Sequence, residues 1–220
     1  LVWNLAKNDI KKKFAGSYFG VVWAFVQPVI TVLLYWFVFE KGLNSKATDL
    51  RTGIEIPFVL WLTAGLVPWF YFQEALNGGT GVLVEYSYLV KKVVFQIDML
   101  PVVKMISALF THLFFVAFTI VLFICMGYMP DWYALQVVYY SFCMILFATG
   151  LVYATSAVTV FFRDMKEVVG ILLQIGMWVT PIMWNFETMV QIPGWAITVL
   201  KLNPMYYIVS GYRNALINHI

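Results

Sequence analysis

Five long stretches without an Asp, Glu, Lys or Arg side chain limit what this chain can fold into. They are 18 to 31 residues long. A helix needs about 18–20 apolar residues to cross roughly 30 Å of hydrocarbon. The sequence therefore predicts an all-α, polytopic membrane protein with five spans, at residues 17–39, 56–76, 99–128, 132–162 and 167–186.

The composition indicates that lipid, and not water, covers most of the surface. Only 11% of the residues are charged and the mean hydropathy is +0.83, whereas a soluble domain carries about 25% charged residues. The net charge of +3 is small, and we expect no nucleic-acid partner. Because no Gly/Ser-rich linker or repeat divides the chain, residues 1–220 are predicted to form a single transmembrane domain.

The distribution of Lys and Arg predicts the orientation of the spans. Nine of the 14 lie in residues 1–16, 77–104 and 161–167, on the side of the N-terminus, and five lie on the other side. Positive charge accumulates on the cytoplasmic side of membrane proteins. We therefore expect a cytoplasmic N-terminus in a multi-pass protein of the plasma membrane, with the last residues outside after five spans.

An amphipathic segment at residues 1–16 precedes the first span. Trp3, Ala6, Ile10 and Phe14 fall on one helical stripe, whereas Lys11–Lys13 lie away from it. This pattern is typical of a helix in the membrane interface, with the lysines among anionic headgroups. An ordinary membrane anchor and a gate beside a lipid entry path are both consistent with it.

A second amphipathic segment covers residues 82–97, after a break predicted at Asn77–Gly81. Helical spacing places four polar side chains on one stripe, facing the cytoplasm, and apolar side chains on the other side. The polar stripe consists of Glu85, Tyr88, Lys92 and Gln96. A solvated loop helix is the simpler interpretation of this segment, and a docking surface for a partner is the functional one.

The segment at residues 187–204 is apolar but is too short to span a membrane. Pro193 and Gly194 interrupt it, and Thr180-Pro181 and Asn203-Pro204 flank it. We expect a re-entrant or interfacial segment on the outer side.

The sequence shows no catalytic, metal-binding or cofactor-binding pattern. Gly78–Gly81 lacks the Lys-[Ser/Thr] of a phosphate-binding loop, and His112 and His219 have no ligand partner at metal-binding spacing. Energy for any transport is therefore expected from another protein. Aromatic side chains at Trp23, Tyr35, Trp178 and Trp184 either form interfacial belts or line a pathway, where flat apolar faces contact sugar C–H groups.

Four segments resemble one family in order along the chain: GVVWAFVQPVITVLLYWFVF (20–39), GLVPWFYF (65–72), FFRDMKEVVGILLQIGMWVTPIMWN (161–185) and LNPMYYIVSGYR (202–213). They resemble the ABC-2 type permeases that export lipid-linked cell-surface polymers, namely O-antigen and wall teichoic acid. A drug or lipid exporter of the same fold, a membrane-embedded polyprenyl-phosphate enzyme and a passive channel are the alternatives.

The resemblance implies a bacterial homodimeric permease, not itself an enzyme, that binds two copies of a separate ATPase. ATP and Mg²⁺ would bind to the partner, with no cofactor in this chain.

The resemblance also implies three structural elements: an interface helix at 1–16, a coupling helix at 82–97 and outer gate helices at 187–204. The coupling helix would dock the ATPase through Glu85, Tyr88, Lys92 and Gln96. The family has a sixth span, which we do not expect within these 220 residues. The substrate implied is an undecaprenyl-diphosphate-linked polymer, with Lys11, Lys12 and Lys13 near the pyrophosphate and Trp23, Tyr35, Trp178 and Trp184 along the pathway.

Overall fold

The computed structural model describes residues 2–13, 17–49, 53–87, 96–184 and 193–219, and helices account for most of them. The helices are α1 (Val2–Lys13), α2 (Trp23–Trp36), α3 (Phe58–Thr80), α4 (Val82–Glu85), α5 (Met99–Cys125), α6 (Gln136–Phe161), α7 (Met165–Val179), α8 (Gly194–Lys201) and α9 (Pro204–Arg213). Short 3-10 turns at Gly20–Val22 and Trp132–Leu135 precede α2 and α6. Wider π-helical turns, Phe37–Gly42 and Asn214–Asn218, extend α2 and α9.

Helix α3 lies at the centre of the bundle. Of its 23 residues, 18 are buried, and it packs against α2, α5, α6, α7 and α9. A helix surrounded by other helices contributes its side chains to the protein core instead of to the lipid. The other helices are therefore arranged around α3.

Three helical segments are long and apolar enough to cross a membrane within the described residues: Trp23–Gly42, Met99–Cys125 and Trp132–Phe161. They coincide with the first, third and fourth predicted spans. Helix α3, at the second, has 23 residues and is about 34 Å long at 1.5 Å per residue. Helix α7, at the fifth, has only 15 residues and is about 22 Å long. The count of five spans thus stays a prediction.

The sequence predicts a break in the helix at Asn77–Gly81, and this prediction is wrong for Asn77–Thr80. Helix α3 continues through Thr80, and the chain turns only at Gly81. Gly79 leaves no room for a Cβ beside Val152 of α6, and Gly81 leaves none beside the Lys166 side chain of α7. The glycines therefore permit close packing at this end of α3.

Three prolines stand differently with respect to their helices, although a proline inside a helix is generally expected to kink or break it. Pro28 and Pro68 lie inside α2 and α3, which both continue past them. Helix α7 instead ends at Val179, two residues before Pro181. Only the third proline therefore coincides with the end of a helix, where a missing N–H disrupts no further helical bond.

The two ends of the bundle differ in what closes them. At one end, called the hairpin end, Ala47–Thr48 (β1) and Glu55–Ile56 (β2) form an antiparallel pair in which Ala47 lies opposite Ile56. The turn before α6 also lies at this end, where the Asp131 Oδ2 and His219 Nδ1 atoms are 2.9 Å apart. At the other end, called the α1 end, α1 and α4 pack against the first turns of α5.

A buried polar group connects α5, α6 and α9 inside the bundle. His112 Nε2 lies 3.1 Å from the Tyr212 hydroxyl and 3.3 Å from the Ser141 hydroxyl, which are also hydrogen-bonded to each other. His112 appears isolated in the sequence, but its partners are distant residues brought together by packing. Buried polar groups need such partners because an unpaired one is costly in an apolar interior.

Candidate functional site

The predicted coupling segment begins as a short helix. Helix α4 covers Val82–Glu85, and Tyr86 lies in a turn. Gln96 is exposed in the turn before α5, so a continuous helix through residue 97 is wrong at its C-terminal end. Tyr88 and Lys92 lie outside the described residues. The segment is anchored by Val82 and Tyr86, which pack with Leu100 in a small apolar cluster of their own.

Four residues from three elements form a charged group at the α1 end. Asp9 of α1 accepts hydrogen bonds on the same oxygen, Oδ1, from Lys104 Nζ at 2.7 Å and from the Tyr86 hydroxyl at 2.7 Å. Lys104 of α5 also lies 3.1 Å from the Glu85 carboxylate. We call Asp9, Glu85, Tyr86 and Lys104 the Asp9 cluster.

The charges of the Asp9 cluster differ in exposure. Asp9 and Lys104 are nearly buried, with side chains 10% and 12% exposed, whereas the Glu85 side chain is 49% exposed. Removing one partner of a buried ion pair leaves an uncompensated charge, which is strongly destabilising, whereas an exposed pair contributes little. The Asp9–Lys104 ion pair therefore connects α1 to α5, and Glu85 lies at the exposed edge of the Asp9 cluster.

Two further contacts attach α1 to its neighbours. Ser107 of α5 donates a hydrogen bond to the Ala6 carbonyl at 3.2 Å, and Ala6 is fully buried. The ammonium groups of Lys12 and Lys104 lie 5.5 Å and 5.4 Å from the centre of the Tyr86 ring, within the range of cation–π attraction. The Tyr86 turn is therefore in contact with both α1 and α5.

Sequence reasoning missed Asp9, Tyr86 and Lys104 as members of one site. Lys104 carried a usable signal, because it is the only residue among Asp, Glu, Lys and Arg within Met99–Cys125. A lone charge in an otherwise apolar helix indicates a buried partner. Asp9 gave no comparable signal, since its neighbours in α1 include several polar residues.

The lysines predicted to approach a pyrophosphate lie at the end of α1. Lys11 and Lys12 are exposed. Lys13 is the last residue of the helix, and its side chain is outside the description. The predicted apolar stripe is only partly covered by the protein, because Trp3 is exposed, although its ring lies 5.1 Å from that of Phe110. Helix α1 therefore lies against α5 with Lys7, Lys11 and Lys12 accessible.

The predicted pathway aromatics fall into two groups. On α7, Trp178 is 58% exposed, and its carbonyl accepts a hydrogen bond from the Trp184 indole N–H at 2.9 Å. Trp23 and Tyr35 lie 12 positions apart on α2, a rise of about 18 Å, and their rings contact Phe19 and Phe39 respectively. The structure thus brings Trp178 and Trp184 together, while Trp23 and Tyr35 have separate neighbours.

Of the outer segment predicted at 187–204, residues 187–192 lie outside the described residues. Helix α8 begins at Gly194, directly after Pro193, and α9 begins at Pro204. Asn203 caps α9 by accepting the Met205 N–H. Within the described ranges, no group of three or more His, Cys, Asp or Glu side chains is placed to hold a metal ion.

Comparison with known proteins gives consistent matches over the whole chain. A family model described as ABC-2 type transporter matches residues 1–217. The O-antigen export system permease protein RfbA of Myxococcus xanthus is 25% identical over 219 residues, covering 100% of this chain and 81% of the relative. The protein of the same name from Klebsiella pneumoniae is 22% identical over 220 residues, covering 98% of this chain and 80% of the relative.

Proposed function

Because this chain belongs to the ABC-2 type transporter family, we propose that it is the permease subunit of an exporter that moves a lipid-linked cell-surface polymer across the bacterial plasma membrane. It is a transport protein and not an enzyme, in keeping with relatives that are named permeases of O-antigen export systems. An O-antigen polysaccharide is the substrate that these names favour, and teichoic acid is the second candidate.

The energy comes from a separate ATPase that docks at the α1 end. The observation that carries this proposal is the Asp9 cluster, in which a buried ion pair ties α1 and α5 to the start of the coupling segment. Closure of two ATPase copies on a permease homodimer would push residues 82–97. The force then reaches α5 through Lys104, α1 through Asp9, and α6 through the packing of α4 against it.

The orientation in this proposal follows from the charge distribution. The α1 end, with Lys7, Lys11 and Lys12 exposed, faces the cytoplasm, and the hairpin end faces outward. Helices α3 and α7 also cross or enter the bilayer, α3 in the middle of the bundle and α7 from the cytoplasmic side. Residues 187–204 form the outer gate.

The substrate contacts are proposed on chemical grounds. Lys11, Lys12 and Lys13 attract the pyrophosphate of an undecaprenyl-diphosphate-linked polymer, which supports placing lipid entry beside α1. Trp178 and Trp184, with Trp23 and Tyr35 on α2, offer flat apolar faces to the sugar or polyol chain.

Deleting the gene in its host tests the function directly. Surface O-antigen or teichoic acid should disappear while its lipid-linked precursor accumulates inside, and a plasmid copy should restore export. Unchanged surface polymers together with a changed sensitivity to small amphiphilic drugs would contradict the proposal and favour a drug or lipid exporter.

Site-specific cross-linking tests the docking surface. Gln96→Cys, at the exposed turn before α5, should cross-link to the co-expressed ATPase in a variant without Cys125 and Cys143. Met129→Cys, exposed at the hairpin end, is the matched control and should not react with it. Equal cross-linking from both positions would refute docking at the α1 end.

Coupling is tested by reversing Glu85 and Lys92 together, which should lower export while the complex still hydrolyses ATP. Because Glu85 also contacts Lys104, Glu85→Gln alone separates the loss of that ion pair from the loss of docking. Normal export by the double variant would refute the docking role of these residues.

A further inference from the structure

Arg213, the last residue of α9, has a buried guanidinium group that binds backbone carbonyls. Its side chain is 7% exposed. Nη1 donates to the Pro181 carbonyl at 2.6 Å and Nη2 donates to the Ile182 carbonyl at 2.7 Å. A longer bond of 3.4 Å runs from Nε to the Trp61 carbonyl of α3.

Helix α3 provides a site shaped for this group. The guanidinium carbon lies 3.3 Å from the centre of the Trp61 ring, so the planar group stacks on the indole. One turn further along, a Cβ on Gly65 would lie 2.8 Å from Nη2, which is too close for a larger residue without displacing the guanidinium. A flat, stacked and forked donor is what distinguishes Arg from Lys.

The bound carbonyls lie in a segment that has left its helix. Helix α7 ends at Val179, and its cap residue Thr180 has extended backbone angles. Carbonyls in such a segment lose their helical partners, and an unpaired carbonyl is costly in an apolar interior. Two other side chains also hold the segment: Asn203 donates to the Thr180 hydroxyl at 2.9 Å, and Trp184 donates to the Trp178 carbonyl.

The segment lies beside the first two turns of α3, because Arg213 binds its carbonyls while contacting Trp61 and Gly65. A Cβ on Gly176, in the last turn of α7, would lie 2.9 Å from the Trp69 ring. Trp69 stands at the middle of α3 (Phe58–Thr80). Thr180–Trp184 therefore continues from α7, which passes the middle of α3, to the first turns of α3, and its course decides how Trp184 is presented.

We propose that Arg213 is a positioning residue of the transport pathway: by holding the Pro181 and Ile182 carbonyls, it fixes the non-helical segment that carries Trp184, whose indole binds the Trp178 carbonyl at the end of α7. The pathway role rests on the proposed function, whereas the positioning role does not. Arg213 acts through the backbone of this segment, and through Trp184 within it on Trp178. The carbonyl dipoles of Pro181 and Ile182 both point at the Arg213 guanidinium. They act on this buried cation as an anionic partner would.

Arg213→Lys tests the proposal while keeping the positive charge. A single ammonium cannot reproduce the fork or the stacking, so we expect export in the complemented deletion strain to fall about tenfold, as for loss of one charge-assisted hydrogen bond. The ¹⁹F NMR signals of Trp178 and Trp184, in protein labelled with 5-fluorotryptophan and assigned by Trp→Phe variants, should shift. Lys201→Gln, which removes an exposed charge from neighbouring α8, is the control and should change neither measurement.

Gly65→Ala provides an independent test if Arg213→Lys does not assemble with its ATPase. It displaces the guanidinium without removing it, and we expect the same two ¹⁹F signals to move with a smaller loss of export. Lost export without a shift of these signals would overturn the positioning role, and shifted signals with normal export would overturn the pathway role. The NMR measurement needs no substrate, so failure of the wild-type gene to restore any surface polymer would count against the proposed function alone.

Discussion

At the scale of single residues, the fold depends on a few buried polar side chains whose partners are distant in the sequence. Asp9 and Lys104 are 95 positions apart, yet their side chains meet at 2.7 Å. Arg213 binds carbonyls more than 30 positions away. In a low-dielectric interior such groups are stable only when paired, so each pair also fixes how its helices meet.

Asp9→Asn should destabilise the protein clearly. It removes the negative charge while leaving the Lys104 ammonium nearly buried, and breaking a buried ion pair costs about 3 kcal/mol. Glu85→Gln is the matched control because its pair is half exposed, and its cost should stay below about 1 kcal/mol. The thermal unfolding midpoint of the purified protein checks both variants.

A double-mutant cycle completes the test of the Asp9 cluster. Asp9→Asn and Lys104→Met together should be less harmful than the sum of the two single variants, because no lone charge remains buried. Strictly additive effects would show that the two side chains are not coupled.

At the scale of elements, small residues decide how closely the helices approach. Gly79 of α3 faces Val152 of α6, and next to it the Thr80 and Thr155 hydroxyls are hydrogen-bonded at 3.0 Å. Glycine is a poor helix former, so its presence inside α3 has a packing reason. This contact lies next to α4 and makes α6 part of the route from the coupling segment into the bundle.

Gly79→Ala should loosen this helix pair. Its methyl group has no room beside Val152, and overpacking a tight contact costs about 1–3 kcal/mol. We expect a lower unfolding midpoint and export reduced in proportion, with partial recovery when Val152→Ala is added.

Gly150→Ala, on α6, is the matched control for Gly79→Ala. Nothing lies within 4 Å of a Cβ at this position, so the higher helix propensity of alanine should leave stability unchanged or raise it by up to about 1 kcal/mol. Similar losses at both glycines would argue against the packing explanation.

At the scale of the whole molecule, the two ends of the bundle carry different chemistry. The α1 end has exposed lysines and the Asp9 cluster, and the hairpin end has the β1–β2 pair and the Asp131–His219 contact. An exporter needs such a difference, because its energy is supplied on one side of the membrane and its cargo leaves on the other. The orientation proposed here assigns each end to one side.

Two-sided cysteine labelling tests the orientation. In a variant without Cys125 and Cys143, a membrane-impermeant maleimide should label Met129→Cys in intact spheroplasts. Gln96→Cys should react only after permeabilisation. The reverse pattern would place the α1 end outside and would contradict the proposed orientation.

The sequence by itself determined the class of protein, three of the apolar spans and the family. Uncharged stretches indicate the class and the spans directly, because a helix in lipid must be apolar along its length, whereas the family follows from four motif segments in order along the chain. The same criterion is weaker for α3, since a helix enclosed by other helices can carry polar residues and glycines. It is weaker for α7 as well, because this helix has only 15 residues and ends at Val179, two residues before Pro181.

The tertiary structure alone decided which polar side chains form sites. Glu85 was identified from helical spacing, but its partner Lys104 and the more important Asp9–Lys104 pair depend on packing between α1 and α5. The contacts of Arg213 with Trp61 and with the Pro181 and Ile182 carbonyls also depend on how α9 packs against α3 and the end of α7. Local spacing reports which residues share a face of one helix, whereas a buried charge is satisfied by whichever distant group the fold brings next to it.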